Sequence, residues 1–374
     1  MLALPVVTGF GGFLPAIVIF IICWLFSACT GLLLLEISLW MPADANIISM
    51  TRQLLGPIGK ILAWVLYLFL FYCLTIAYSC GGGGLVVELF GKKIPHSVGV
   101  VIFITFFGFF VYLGMRAVDR INFLLMIGLG TSYSVFAVLG IGEVKFELLK
   151  RMQWFGSILA LPVMFTSFSY QGIVPSLTAY LDRRPTAVRF AILVGTSLPL
   201  IAYLVLEYLI LGSVPVEGPH GLLQAEASGH TAIEPLKYVF PDSPIYLIGR
   251  FFSAFALITS FLGVTLGLLD FLSDGLRLPK VGWRKSFLCA LVYVPPVIIA
   301  MINPDIFLTA LGYAGGIGCA LLLGLLPVMM VWVGRYFKKY PALTRQLPGG
   351  KILLSLLIVF VIFELVIELA GELT

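Results

Sequence analysis

Charge is what this chain has least of. Asp, Glu, Lys and Arg make up 11% of its 374 residues, against about 25% in soluble globular domains. So few charges cannot cover a water-facing surface of this size. Histidine is scarcer still: His96, His220 and His230 are the whole complement, and all three fall in polar connections. No apolar run pairs a Ser or Cys with a His, and none carries an Asp pair, so an enzyme working at membrane depth lacks its parts. The chain is not expected to be an enzyme. The cysteines (Cys23, Cys29, Cys73, Cys80, Cys289 and Cys319) sit inside apolar runs without metal-ligand spacing, and they read as small apolar packers. No metal and no cofactor are expected. The net charge of +5 is too small and too scattered for a nucleic-acid footprint. There is no charged n-region before the first apolar run, which excludes a signal peptide.

What the chain has instead is hydrophobic length. Apolar residues reach 60%, and a bilayer-crossing helix needs about 20 of them in succession. Such runs lie at Phe13–Trp40, Ile61–Gly84, Ser97–Gly114, Ile121–Gly142, Ser157–Leu181, Phe190–Leu211, Ile245–Leu272, Ser286–Met301, Phe307–Val333 and Ile352–Ala370. These lengths exclude a β-barrel, whose strands are about ten residues of alternating polarity. The expectation is an all-α polytopic membrane protein with the lipid bilayer as its solvent. The connections alternate in basic charge. One set carries 16 of the 23 Lys plus Arg, from Arg52 to Lys351, and the other carries 7, from Lys92 to Arg250. Basic loops stay cytoplasmic, so Phe13–Trp40 runs from outside to inside. Glu217, Glu226, Glu234, Asp242 and Asp305 fall on the outer side, and a short helix is expected within Ala232–Phe240 of the external connection. Met1–Thr8 is apolar but supplies only the outer half of a span.

Breaks in helices carry information, because free backbone groups at depth are tolerated only beside protein or a watery cavity. The clearest break is Phe165–Ser176, flanked by Pro162 and containing Gly172 and Pro175, with hydroxyl and amide side chains in between. Half-helix ends of this kind can hold an amino acid's ammonium or carboxylate. A proline kink satisfied by its own Ser and Thr is the plain alternative. A second break is expected in the partner repeat, with Met1–Pro5 as its stump. Among intramembrane carboxylates, which are costly and usually functional, Glu36 and Glu207 are candidates for a proton or gate role. Glu364 and Glu368 share one face of the last helix and read as an interfacial or packing feature. Thr259 and Ser260 can coordinate an ion or bond back to their own helix. Tyr72, Thr75 and Tyr78 share a face that either walls an aromatic pocket or packs as plain core. Gly312, Gly315, Gly316 and Gly318 thin one helix for close packing. Gly81–Gly84 ends a helix or allows close approach, and is not a phosphate loop because no Lys follows.

Five blocks in one order make a specific resemblance: Met1–Pro5, Leu32–Glu36, Phe165–Ser176, Thr259–Leu272 and Ala310–Gly315. They resemble the bacterial aromatic amino acid permeases, tyrosine-specific members first and tryptophan-specific ones next. The resemblance runs from Met1 to near the last helix. It implies the five-plus-five inverted-repeat, leucine-transporter-like fold of the APC superfamily, with eleven helices of which the first is truncated here. One transporter domain would fill residues 1–374. It would comprise a first repeat over 1–142 lacking the N-terminal half of helix one, a second over 157–333, and an extra C-terminal helix over 351–370.

The implied function is proton-coupled symport of aromatic amino acids, tyrosine ahead of tryptophan, across a bacterial inner membrane. By that likeness Phe165, Thr166, Phe168 and Gln171 face the substrate, with Ser167 beside them and Met1, Tyr72 and Tyr78 as further wall. Thr259 and Ser260 stand at the second ion site of sodium-coupled relatives. A sodium-coupled carrier, or an inactive structural membrane subunit, are the rival readings. Family members usually read Gly-Phe-His-Gly where this chain has Ser169-Tyr170-Gln171-Gly172, so no proton role attaches to an imidazole there. The family also has a half-helix and a Gly-Ala-Gly stretch before the Met-Leu-Ala-Leu-Pro block. A misplaced start codon or a truncated product is the expectation for a chain opening at that methionine.

Overall fold

The computed structural model describes residues 1–43, 45–241, 243–341 and 344–371; Asp242, assigned above to the outer side, lies outside them. The described residues are helical or loop, with no strand. In chain order the helices are α1 (Leu4–Thr8), α2 (Phe13–Trp40), α3 (Ile47–Leu89), α4 (His96–Leu113), α5 (Met115–Ile141), α6 (Phe146–Leu149), α7 (Trp154–Leu159), α8 (Leu161–Thr166), α9 (Val174–Tyr180), α10 (Pro185–Ser213), α11 (Leu222–Ala227), α12 (Leu236–Val239), α13 (Pro244–Leu276), α14 (Gly282–Ile302), α15 (Phe307–Tyr313), α16 (Leu326–Trp332) and α17 (Gly350–Gly371). Tyr313 runs straight on into a π-helical stretch, Ala314–Leu325, and a second one, Val333–Phe337, follows α16. Among the described residues nine helices are long and apolar enough to cross a membrane, counting Phe307–Phe337 as one. Nine of the ten apolar runs are these helices. The tenth, Ser157–Leu181, is fractured into α7, α8, a 3-10 turn at Gln171–Ile173, and α9.

The helix ends have local causes. α3 extends well before Ile61 and kinks at Gly56, whose φ of 82° precedes Pro57. Proline lacks an N–H and restricts the residue before it, so the bend falls there. Gly114 at φ 107° separates α4 from α5. Between α10 and α13, helix forms at α11 and α12, so only part of Ala232–Phe240 is helical.

Two compact units share the chain. The first comprises Met1–Phe13, Phe71–Arg151 and Leu206–Leu311. In it α13 packs along α5, α4 packs against α14 and α13, and α1 packs on α11. Phe252 and Phe136 stack at 6.1 Å, and Phe103 meets Phe261 edge-on at 4.9 Å. α3 does not end at Gly81–Gly84. A Cβ on Gly82 would overlap the Phe103 ring, and one on Gly83 would overlap Val100, so these glycines serve close approach of α3 to α4. The second unit comprises Leu14–Leu70, Met152–Val205 and Gly312–Thr374. Its core is the π-helical stretch Ala314–Leu325 packed against α8 and α17. A Cβ on Gly315 would overlap the carbonyl oxygen of Pro162, so only glycine lets these two backbones touch.

Candidate functional site

In the second unit, Pro162 starts α8 near its N-terminus, and the helix stops at Thr166. The turn that follows is closed by short-range bonds, Ser167 N–H to Met164 O at 3.2 Å and Phe168 N–H to Phe165 O at 3.0 Å. The hydroxyls of this segment mostly turn back on it. Thr166 donates to Pro162 O at 3.1 Å, Ser167 to Val163 O at 3.3 Å and Ser169 to Thr166 O at 2.7 Å. Two tyrosines tie the break to its neighbours, Tyr170 donating to Ser27 O at 2.9 Å and Tyr203 donating to Ser167 O at 3.0 Å. Phe165 and Phe168 are buried. Phe165 packs edge-on against Phe26 at 5.2 Å, and Phe168 lies 5.4 Å from Tyr203 and 6.3 Å from Phe20. Gln171 is fully buried. Its Nε2 donates to Thr30 Oγ1 at 3.2 Å, while its Oε1 has no donor among the described residues. A buried amide acceptor left open is expensive, and beside an aromatic wall at a helix break it is suited to a ligand's donor.

The first unit holds a different constellation. Glu207 of α10 is fully buried. Its Oε2 lies 2.8 Å from Thr8 Oγ1 at the end of α1, and its Oε1 has no partner among the described residues. Thr8 Oγ1 also lies 2.9 Å from Leu4 O. A hydroxyl has one proton and cannot donate to both. With Glu207 ionised, Thr8 donates to it; with Glu207 protonated, Thr8 donates to Leu4 and accepts from the carboxyl. The distances are thus compatible with either hydrogen-bond arrangement. Tyr72 donates to Leu291 O at 2.8 Å, and Tyr78 is half-buried. Thr259 donates to Phe255 O at 2.8 Å in its own helix, and Ser260 beside it is half-buried. Met1, half-buried, accepts the Leu4 N–H at 3.2 Å.

Glu36, in the second unit, is bound on both oxygens. Arg335 Nε donates to Oε1 and its Nη2 to Oε2, each at 2.7 Å, and the Gln346 N–H adds a bond to Oε2 at 2.9 Å. The side chains of this pair are 0% and 2% exposed. Outside the spans, Lys92 donates to Glu234 at 3.2 Å, and this bond holds the ammonium above its usual range. Burial pushes the Glu226 carboxyl of α11 up to about 7. Phe20, Phe26, Thr30, Tyr203 and Thr8 were not singled out by sequence. The aromatics lie in uniformly apolar helices, and nothing in such a run distinguishes a pocket-facing ring from a lipid-facing one.

Residues 1–368 match the tryptophan/tyrosine permease family. The chain is 32% identical to tyrosine-specific transport system 1 of Haemophilus influenzae, covering 98% of this chain and 91% of that protein. It is 27% identical to the tryptophan-specific transport protein of the same organism, covering 100% and 92%. Among solved structures it resembles MhsT in complex with L-phenylalanine, at 14% identity and a TM-score of 0.64 over 100% of this chain and 94% of that one. It also resembles the Eremococcus coleocola manganese transporter, at 15% identity and a TM-score of 0.60 over 99% and 84%. The fold is accordingly leucine-transporter-like, and this multi-pass membrane chain belongs to the tryptophan/tyrosine permease family.

Proposed function

We propose that the chain takes up aromatic amino acids across a bacterial inner membrane by proton symport, with tyrosine preferred over tryptophan. The observation that carries this is Gln171, fully buried at the helix break with an open acceptor oxygen, among Phe165, Phe168 and the rings packed on them. An aromatic side chain stacks among such rings, and Gln171 with Thr166 and Ser167 takes the polar groups. Family membership supports amino acid transport, and the identity of 32% to a tyrosine system against 27% to a tryptophan one supports the preference. Residues 1–142 and 157–333 are the two repeats of this reading, with the last helix outside them.

For the coupling proton the reading gives the role to Glu207, because its bond with Thr8 reverses when the proton arrives. Glu36 has no free oxygen, and Thr259 bonds to its own helix, so they support this role less. The test is uptake in liposomes holding the purified chain. Labelled tyrosine should exchange in counterflow, and should accumulate when the lumen is alkaline, without sodium. Glu207→Gln should keep counterflow and lose accumulation. Absence of tyrosine and tryptophan counterflow refutes the substrate, and dependence on sodium refutes the proton.

A further inference from the structure

Glu364 is the carboxylate with both oxygens buried and unbonded among the described residues. It sits in the apolar middle of α17 and is 0% exposed. Neither carboxyl oxygen has a hydrogen-bond partner among the described residues. The titratable groups that face it are Glu368, one turn on in α17, and Cys23 from α2. Both are acidic, so neither offsets a negative charge. An ionised carboxylate without donor or counter-ion in a low-dielectric interior is not tolerated unless it takes up a proton. Apolar packing would be better served by Leu at this position, and intramembrane carboxylates of this kind mark functional sites.

Its surroundings connect it to the break. Phe360, one turn before Glu364, lies 4.5 Å from Phe26, and Phe26 lies 5.2 Å from Phe165 in α8. The opposite turn leans on the π-helical stretch: a Cβ on Gly316 would lie 2.6 Å from Glu368 Oε2. π-Helical turns are rare and gather at functional sites. We propose that Glu364 is a second proton-binding site of this transporter, and that its proton load is sensed at the helix break through Phe360, Phe26 and Phe165. One aqueous proton adds to one carboxylate oxygen and leaves from it; no bond between heavy atoms changes. Coupling of this site to uptake rests on the symport reading above, whereas proton binding itself does not.

Infrared difference spectra of the full chain in liposomes test the binding. Wild type should show a protonated-carboxyl stretch that Glu364→Gln lacks and Glu364→Asp retains at a shifted frequency. Tyrosine uptake in the same liposomes tests the coupling. Glu364→Gln should keep counterflow and lose gradient-driven accumulation, and Glu364→Asp should regain it. Should the Gln protein fail to insert, Glu364→Asp against Glu364→Asn makes the same comparison. A band unchanged by Glu364→Gln overturns the proton site, and wild-type accumulation in that variant overturns its coupling. Wild-type protein that exchanges neither amino acid refutes the transport reading instead, and the infrared band still decides whether Glu364 holds a proton.

Discussion

Replacing Arg335 by Met strands a carboxylate that no water can reach. Glu36 would keep the Gln346 N–H at 2.9 Å and lose both guanidinium bonds of 2.7 Å. The side chains of the pair are 0% and 2% exposed, so solvent screening does not soften the loss. Removing one partner of a buried pair costs about 3–5 kcal/mol, most of it the penalty on the charge left behind. Replacing both members with groups of similar volume is often neutral. Glu36→Gln with Arg335→Met should therefore be more stable than Arg335→Met alone, by about 2 kcal/mol or more on the same reasoning. Unfolding free energies from detergent titration in mixed micelles, taken around the full double-mutant cycle, measure this. An Arg335→Met cost within about 1 kcal/mol, the worth of an exposed pair, would refute the buried clamp. So would a double variant no more stable than the single.

Three further outcomes are expected. Gln171→Leu keeps the volume, takes the amide donor from Thr30 Oγ1 while leaving the Thr30 bond to Ser27 O at 3.1 Å, and removes the open acceptor. Tyrosine affinity by equilibrium binding should fall about tenfold or more, since a lost buried partner costs about 1–3 kcal/mol. Gly315→Ala drives a methyl into the Pro162 carbonyl, and overpacking of this kind costs about 1–3 kcal/mol; the same micelle titration reads it, and a neutral result would refute the close contact. Glu226 in α11 has a carboxyl raised to about 7 from an ordinary 4.5. A raised acid binds its proton more tightly when folded, so its contribution is full below the ordinary value and is lost as pH rises through about 7. Hydrogen exchange of Leu222–Ala227, corrected for intrinsic rates, should quicken over that window in wild type and stay flat in Glu226→Gln.

The helical membrane fold was legible because lipid forces long apolar runs, and nine of them became unbroken helices. The break at Phe165–Ser176 was legible too, since Pro162, Gly172 and Pro175 interrupt a run that length alone would have made continuous. What stayed hidden were partners distant in sequence. Nothing near Glu36 announces Arg335, 299 positions on, and nothing near Glu207 announces Thr8. Phe20 and Phe26 were invisible for a related reason: periodicity cannot sort pocket from lipid when every face of a helix is apolar. The sequence also suggested packing for Glu364, because i, i+4 spacing shows that two carboxylates share a face but not what that face meets.

Three intramembrane glutamates differ in how many of their oxygens are answered among the described residues, and the roles proposed for them follow that difference. Glu36 has both oxygens bonded, three donors in all. These charge-assisted bonds tie α2 to Arg335 and the Gln346 backbone, so the group serves as a clamp. Glu207 has one oxygen answered, by a hydroxyl whose proton can point either way. Adding a proton reverses that bond without breaking the contact, which is what a group that must load and unload requires. Glu364 has neither oxygen answered among the described residues, which is why a proton is the partner proposed for it. Residue type is constant across the three, and so is burial. The count of donors, which only the folded chain supplies, is the variable on which the proposal assigns Glu36 to holding helices together and Glu207 and Glu364 to binding a proton.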